Sequence, residues 1–514
     1  MNKFFALVRR ALQTESRLAR GHGFRCLLGI FVLWTLVTTR WEVFNRGAPG
    51  LNLFRSMSYY NYFFITILGT AYFATAITEE KEERTLGLLK MAGVGATSLI
   101  MGKWTPRMIS AFLLLSVQIP FTVLAITLGG VLWQQIGAVY FALFAHLFFV
   151  GSLGLFCSVL MSTTTGACLL ALGSLLGMSI LPLIATGLFR NASGSLLGDM
   201  VLNLASFFRS MHAFQSIGFT LSTGFNSSWW SIQVISNLIV GGIILAVTWA
   251  IFDICTRNEK EAGGLGYFDR LRKRLQSKGR GRVWSAALVW KDYQLLGGGG
   301  IFLFLKFALY FGFVLFFALG TGISRSRMLE NLGWTLIGWS LFFFVFETAI
   351  MTARLYRNEM SNKTWATLIM LPRSSKEMIY SKLIGGMTTT LPVVACFCIG
   401  VVLTPDDFFD ALGSIMSEAE AVLGVSYFVM QIVIAIHLST YFSISQKWAI
   451  WPMAVFLSGF IVFIANVTVM GCLFIGISPG DASAILFMGN VAALIITIVI
   501  HYNIGKRLIA VAGE

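Results

Sequence analysis

Residues 136–160 read IGAVYFALFAHLFFVGSLGLFCSVL, a run without a single Asp, Glu, Lys or Arg. About 18 such residues in a helix are enough to cross the hydrocarbon core of a membrane, which is roughly 30 Å thick. Similar runs recur from one end of the chain to the other, and only 12% of all residues are charged. A soluble protein carries roughly twice that charged fraction. We therefore expect an integral membrane protein.

The apolar runs predict helices. A helix satisfies its own backbone hydrogen bonds inside lipid, whereas a membrane β-barrel would show alternating segments of about 10 residues. The pattern predicts an all-α fold of about twelve transmembrane helices in two pseudo-symmetric six-helix halves, residues 1–254 and 286–514. The predicted spans are 26–44, 59–78, 106–130, 136–160, 166–188 and 232–254, followed by 306–323, 333–353, 384–404, 421–443, 448–477 and 483–502.

Each half is expected to begin with an interfacial helix. In 1–25, basic residues are interleaved with apolar residues that gather on one side at helical spacing. Ala6-Leu7-Val8, ahead of the first span, recurs as Ala287-Leu288-Val289 ahead of the seventh. Residues 255–285 form a basic linker whose Lys and Arg are interleaved with apolar side chains. This pattern favours contact with anionic membrane lipid and argues against nucleic-acid binding, although the net charge is +15.

The distribution of Lys and Arg predicts the orientation. Most of the 38 Lys and Arg residues fall in segments on one side of the predicted spans, which the positive-inside rule assigns to the cytoplasm. Both termini then lie in the cytoplasm, and a bacterial inner membrane is the expected location. The loop 404–420 has five acidic residues and no Lys or Arg, so it faces outward. The other long outer loop, 189–231, is expected to form short helices that cap the pathway.

A second repeat follows the second span of each half. Five residues recur at a constant offset of 279 positions: Glu80, Thr85, Leu89, Met91 and Lys103 correspond to Glu359, Thr364, Leu368, Met370 and Lys382. Arg84 corresponds to Lys363 conservatively. We call residues 80–103 the first repeat segment and residues 359–382 the second repeat segment.

Each repeat segment predicts a short amphipathic helix between breakers. Leu86 and Leu89 share one helix face, as do Trp365 and Leu368. Thr85 or Thr364 is expected to cap the helix start, and Gly93 or Pro372 to end it. Such a helix can transmit force from a cytoplasmic partner, or it can merely connect two spans; the spacing alone leaves both interpretations open.

Residues 77–89 read ITEEKEERTLGLL, and Gly102-Lys103 follow before the third span. This pattern resembles the signature of type-2 ABC transporter permeases. In that family an acidic and basic run leads to Gly-Thr, a leucine-rich turn, a bend with proline and a Gly-Lys pair. The second copy, from Glu359 to Lys382, is similar to it again.

The chain departs from this signature in both copies. Arg84 and Lys363 stand where the family has glycine. In the first copy Gly93 stands where the family has proline. In the second copy Ser381 stands where the family has the glycine of the Gly-Lys pair. The segment is expected to be a contact surface and not a catalytic site, so these changes remove no necessary chemistry.

The resemblance implies a permease subunit that exports an unidentified, apolar or amphiphilic substrate along a path between the two halves. It implies that the helices near 80–93 and 359–372 couple to two cytoplasmic ABC ATPase subunits, which would bind ATP and Mg²⁺. The implied coupling residues are Glu80, Arg84, Thr85, Leu86, Leu89, Glu359, Lys363, Thr364, Trp365 and Leu368. No Walker A motif occurs, so the chain is not expected to be an enzyme or to hold a cofactor.

Polar residues inside the spans define the alternative function. Glu347, His146 and His437 could contact a substrate or ion, or could serve only in hydrogen bonding and helix packing. A secondary active transporter with two six-helix halves is the alternative to the ABC permease. A membrane-embedded enzyme lacks support, because we find no metal-ligand cluster and no nucleophile-base arrangement. The seven cysteines are expected to be packing residues.

Overall fold

The computed structural model describes residues 48–189, 196–222, 229–257, 283–320, 328–356, 359–360, 364–371, 374–445, 451–474 and 479–513, with scattered positions between 5 and 35. Throughout these residues the regular structure is helical, without strands. The predicted all-α class is therefore confirmed. The chain divides into two compact units, Met1–Gly266 and Tyr267–Glu514. Most of the predicted linker 255–285 lies outside the described residues, so its boundaries stay a prediction.

In the described residues, eight helices are long and apolar enough to cross a membrane. They are Pro49–Glu82, Ala96–Thr127, Trp133–Leu160, Ile232–Thr256, Leu329–Leu355, Glu377–Leu403, Ala419–Ser445 and Ser483–Ala510. Ala287–Leu295 and Gly300–Leu315 form a further candidate with a 50° bend, and Thr164–Ser179 and Ala454–Phe463 are shorter apolar helices. The first predicted span, 26–44, lies mostly outside the described residues. A count of twelve stays a prediction.

The first unit contains a chain of helices from residue 49 to residue 257. They are α1 (Pro49–Phe64), a π-helical turn (Ile65–Gly69), α2 (Thr70–Glu82), α3 (Leu86–Met91), α4 (Ala96–Ser116), α5 (Ile119–Thr127), α6 (Trp133–Leu160), α7 (Thr164–Phe189), α8 (Leu196–Ser210), α9 (Ala213–Thr220) and α10 (Ile232–Arg257). Helices α8 and α9 confirm the predicted short helices in 189–231. Their role as a cap stays a prediction.

Helix α6 lies at the centre of the first unit, because small residues let its neighbours approach closely. A Cβ atom on Gly154 would lie 2.7 Å from the Cβ of Phe73 on α2. Ser158 accepts hydrogen bonds from the backbone N–H groups of Ile77 (2.8 Å) and Thr78 (3.0 Å). The end of α2, where the first repeat segment begins, is thus fixed against the end of α6.

The second unit has the following helices. They are α11 (Ala287–Leu295), α12 (Gly300–Gly320), α13 (Met328–Leu355), α14 (Trp365–Ile369), α15 (Ser375–Met387), a 3-10 turn (Thr388–Thr390), α16 (Leu391–Leu403), α17 (Pro405–Ser417), α18 (Ala419–Ser445), α19 (Trp451–Phe474) and α20 (Pro479–Gly513). Helix α13 packs closely on α16, since a Cβ on Gly400 would lie 2.9 Å from the carbonyl oxygen of Gly333. Ser439 on α18 donates to the carbonyl of Ala349 on α13 at 3.1 Å.

Candidate functional site

Helix α2 ends in a Schellman turn at the start of the first repeat segment. The N–H of Thr85 donates to the carbonyl of Glu80 at 2.9 Å, and the N–H of Arg84 donates to the carbonyl of Lys81 at 3.2 Å. Arg84 has φ 58°, the left-handed conformation that glycine adopts most easily. This geometry gives a physical reason for a glycine at this position in the signature that the sequence resembles.

The Glu80 side chain also stabilises this turn. Its carboxylate accepts hydrogen bonds from the Thr85 hydroxyl and from the Lys103 ammonium on α4. Thr85 lies directly before α3, but its side chain makes no capping bond to that helix. The prediction that Thr85 caps α3 is therefore wrong, because its hydroxyl donates backward to Glu80. Glu80 holds α2, the turn and α4 together.

Helix α3 turns one apolar side inward and leaves another exposed. Leu86 is fully buried among Ile77, Leu99 and Phe252, and Leu89 packs against the same cluster. Leu88 and Met91 are 61% and 76% exposed. Leu86 is thus not available to a partner in this conformation, and the accessible apolar surface consists of side chains that the prediction had not selected.

Gly93 ends α3, as predicted. It has φ 70°, and its N–H donates to the carbonyl of Lys90 at 2.9 Å. The N–H of Val94 donates to the carbonyl of Leu89 at 3.2 Å. These two bonds make a second Schellman turn, with the Val94 and Leu89 side chains packed on one core.

Other acidic residues beside the turn also form contacts within the first unit. Glu79 pairs with Arg107 at 3.1 Å. The Glu82 carboxylate accepts the backbone N–H of Thr164, at the start of α7, at 2.6 Å. A carboxylate is favourable at that position because a helix N-terminus carries partial positive charge. These contacts, with those of Glu80, position three neighbouring helices around the turn.

In its described residues, the second repeat segment repeats the Glu–Thr–Lys contacts of the first. The N–H of Thr364 donates to the carbonyl of Glu359 at 2.9 Å, and its hydroxyl donates to the Glu359 carboxylate. Lys382 donates to the same carboxylate at 3.2 Å. Lys363, the equivalent of Arg84, and Pro372, the predicted end of the helix, lie outside the described residues. The shared bonds involve the residue types that recur in the sequence.

The second copy adds a buried ionic cluster. Lys382 is only 1% exposed and also pairs with Asp292 of α11 at 3.1 Å, while Lys291 of α11 pairs with Glu359. Burial alone would raise the pKa of Glu359. Hydrogen bonds from Lys291 and Thr364, together with the Lys382 charge, outweigh that effect and lower the pKa to about 2. Glu359 is therefore ionised at neutral pH.

Trp365 occupies the position of Leu86 in the second copy. It is 3% exposed, and its indole N–H donates to the carbonyl of Leu508 on α20 at 3.0 Å. Leu368 packs against the same cluster. Trp365 is thus not accessible to a partner, whereas Met370 and Leu371 are 82% and 42% exposed. Met91 and Met370 correspond at the same offset of 279 positions.

Both repeat segments contact the last long helix of their own unit. In the first unit, Lys90 donates to the Thr256 hydroxyl on α10 at 2.5 Å and lies 5.2 Å from the Phe252 ring centroid. In the second unit, the bond from Trp365 to Leu508 makes the corresponding connection. No sequence pattern predicts either contact, since the two residues that form it are far apart along the chain.

The predicted intramembrane residues lie apart from the repeat segments. His146 is buried and its Nε2 lies 3.0 Å from the Thr66 hydroxyl, at the π-helical turn. His437 contacts the carbonyl of Val433 through Nδ1 at 2.8 Å. Each imidazole thus has a hydrogen-bond partner within its own unit.

Glu347 is the centre of a polar group in the second unit. It accepts bonds from Lys306 at 2.8 and 2.9 Å and from the Tyr310 hydroxyl. These contacts are what a structural role requires; a substrate contact stays a prediction. In the part of the chain that the structure describes, no group of three or more His, Cys, Asp and Glu residues is arranged to hold a metal ion.

The chain was compared with protein-family models, with curated proteins and with solved structures, and no match was found in any of the three.

Proposed function

We propose that the chain is the membrane-spanning permease subunit of an ABC transporter and that both repeat segments receive motion from a separate ATPase. The observation that carries the proposal is the repeated turn. In each unit a Glu–Thr–Lys contact holds a short helix with an exposed methionine at its end: Met91 is the last residue of α3, and Met370 directly follows α14. We call Leu88, Met91, Met370 and Leu371 the docking residues.

The contacts of each short helix suit the transmission of movement. In the first unit, Glu80 connects the turn to α2 and α4, and Lys90 connects it to α10. In the second unit, Lys382 and Trp365 connect it to α15 and α20. A force on the docking residues therefore acts on three helices in the first unit, or on two in the second, at the same time. Leu86 and Trp365 are buried, so in this proposal they connect the short helices to the rest of their own units by packing and do not contact the ATPase.

The proposed partners are two copies of a cytoplasmic ATPase, with ATP and Mg²⁺ bound there. Burying one large apolar side chain contributes roughly 1.5–3 kcal/mol, which is about ten- to a hundredfold in affinity. Export of an apolar or amphiphilic substrate from a bacterial inner membrane completes the proposal.

Purification of the tagged chain from its native membranes in mild detergent tests the proposal. Photolabelling with 8-azido-ATP and ATP hydrolysis by the purified assembly report a bound ATPase. We expect the double variant Met91→Glu with Met370→Glu to abolish both signals, because a charged side chain at either position resists burial against the ATPase. Met200→Glu, at a methionine 64% exposed on α8, is the matched control and should leave both signals unchanged.

A wild-type assembly without any photolabelled subunit would contradict the proposal. It would favour the alternative, a secondary active transporter, for which the ion pair between Lys306 and Glu347 is the supporting observation. Both residues lie in long apolar helices, where charged side chains commonly belong to ion or substrate pathways.

A further inference from the structure

Helix α17 has two distinct sides, and none of its residues is buried. The apolar side chains of Phe409, Leu412 and Met416 recur at helical spacing and are 61%, 40% and 71% exposed. The acidic side chains of Asp407 and Asp410 lie on the other side of the helix, since successive residues advance by about 100°. An exposed apolar stripe of this kind indicates an interaction surface.

The neighbours of α17 determine its position. Thr404 alone separates it from α16, and Glu418 alone separates it from α18. Both neighbours belong to helices long and apolar enough to cross a membrane. Phe408 also packs against Phe397 of α16, with ring centroids 6.0 Å apart. A helix connected so directly to two spans lies at the level where those spans leave the membrane.

Charge restricts the kind of surface that α17 can bind. The chain has no Lys or Arg between Lys382 and Lys447, whereas 404–420 contains Asp406, Asp407, Asp410, Glu418 and Glu420. An anionic segment is repelled by anionic lipid headgroups. The complementary surface is therefore one of neutral or zwitterionic lipid.

We propose that α17 is an interfacial helix bound to the lipid surface of the membrane. Phe409, Leu412 and Met416 enter the boundary between headgroups and acyl chains, and the aspartates remain in water. The inference goes beyond the proposed function, because it holds whether or not an ATPase partner exists.

Nitroxide scanning tests this arrangement in the full-length chain, with the native cysteines replaced by serine and the protein in phosphatidylcholine vesicles. Labels are placed singly on Phe409→Cys, Leu412→Cys and Met416→Cys. Matched labels on Asp407→Cys, Asp410→Cys and Ser414→Cys lie on the other side of the same helix. We expect the first three to collide more often with oxygen, which partitions into lipid, and the second three with a water-soluble nickel chelate. In phosphatidylglycerol vesicles the label at 416 should lie closer to water.

Three outcomes would overturn the proposal. If the labels at 409, 412 and 416 were shielded from both reagents, a protein partner or a second copy of the chain would cover the stripe. If all six labels met the chelate equally, the helix would lie in water. An equal depth at 416 in both lipids would contradict the role of charge. Loss of the ATPase after mutation of the docking residues would leave all three measurements unchanged.

Discussion

Arg84 adopts a left-handed backbone conformation that glycine would adopt at lower cost. Its φ of 58° is the one positive value at a residue other than glycine in the described ranges. The left-handed conformation costs an L-residue roughly 1–2 kcal/mol. We expect Arg84→Gly to stabilise the folded chain by about 1 kcal/mol, measured as a higher Tm in detergent. Arg84→Ala also removes the guanidinium but keeps the strain, so an equal gain from alanine would contradict this explanation.

Glu359 makes the stability of the second unit sensitive to acid. Its pKa is lowered from 4.5 to about 2 by Lys291, Thr364 and Lys382, in spite of burial. The ionised carboxylate therefore contributes about 3 kcal/mol above pH 4.5, and this contribution is lost as the pH falls from 4.5 toward 2. We expect the Tm to fall in that window. Glu359→Gln should lower the Tm at pH 6 and flatten this fall; parallel curves for both proteins would contradict the assignment.

Sequence reasoning identified the residue types of the turn but not their partners. The shared offset selected Glu80, Thr85 and Lys103 correctly as one group. It could not show that the Thr85 hydroxyl donates back to Glu80, because a threonine before a helix can equally accept a bond from that helix. The direction depends on the left-handed Arg84, which brings the hydroxyl onto the carboxylate. The arginine at position 84 carries no sign of that backbone angle, because residues other than glycine rarely adopt it.

The short helices α3 and α14 are held mainly by their buried side chains and by single polar contacts to a distant helix. We expect Trp365→Phe, which keeps most of the packing but removes the bond to Leu508, to cost about 1 kcal/mol. Trp365→Ala should cost about 3–5 kcal/mol, since it also leaves a cavity. Chemical denaturation in detergent measures both values. A similar cost for both variants would show that the hydrogen bond, and not the packing, holds the helix.

At the scale of elements, the sequence predicted the existence of these helices and the end of α3 at Gly93. It did not predict which apolar side faces inward. Spacing of three and four residues shows that Leu86 and Leu89 share a face, but the direction of that face depends on the neighbouring spans. The exposed Leu88 and Met91 also stand three residues apart and share a different face, so periodicity alone could not decide between the two pairs.

The orientation of the whole chain follows from the distribution of its charges and can be tested at two exposed positions. In a chain without native cysteines, an impermeant maleimide should modify Asp410→Cys only from outside and Leu88→Cys only from the cytoplasm. Sealed cells and inverted vesicles give the two directions of access. Modification of both positions from the same side would contradict the predicted topology.

The all-helical membrane architecture could be predicted because a long apolar run without charges has few alternatives in lipid. Eight predicted spans coincide with long helices in the described residues. The bend between Ala287–Leu295 and Gly300–Leu315 could not be predicted so easily, since it arises at Gly298 and Gly299, which both have positive φ. Glycine tolerates many conformations, and the sequence does not show which one the surrounding helices select.

The contacts of the repeat segments also imply an order of assembly during synthesis. Glu80 and Lys103 are 23 residues apart, as are Glu359 and Lys382. Each turn can therefore close soon after its two helices have left the ribosome. Lys90 must wait for Thr256, which is 166 residues away, and Trp365 for Leu508, which is 143 residues away. In each nascent unit the turn thus forms early. The contact between the repeat segment and the last helix forms only when that helix enters the membrane.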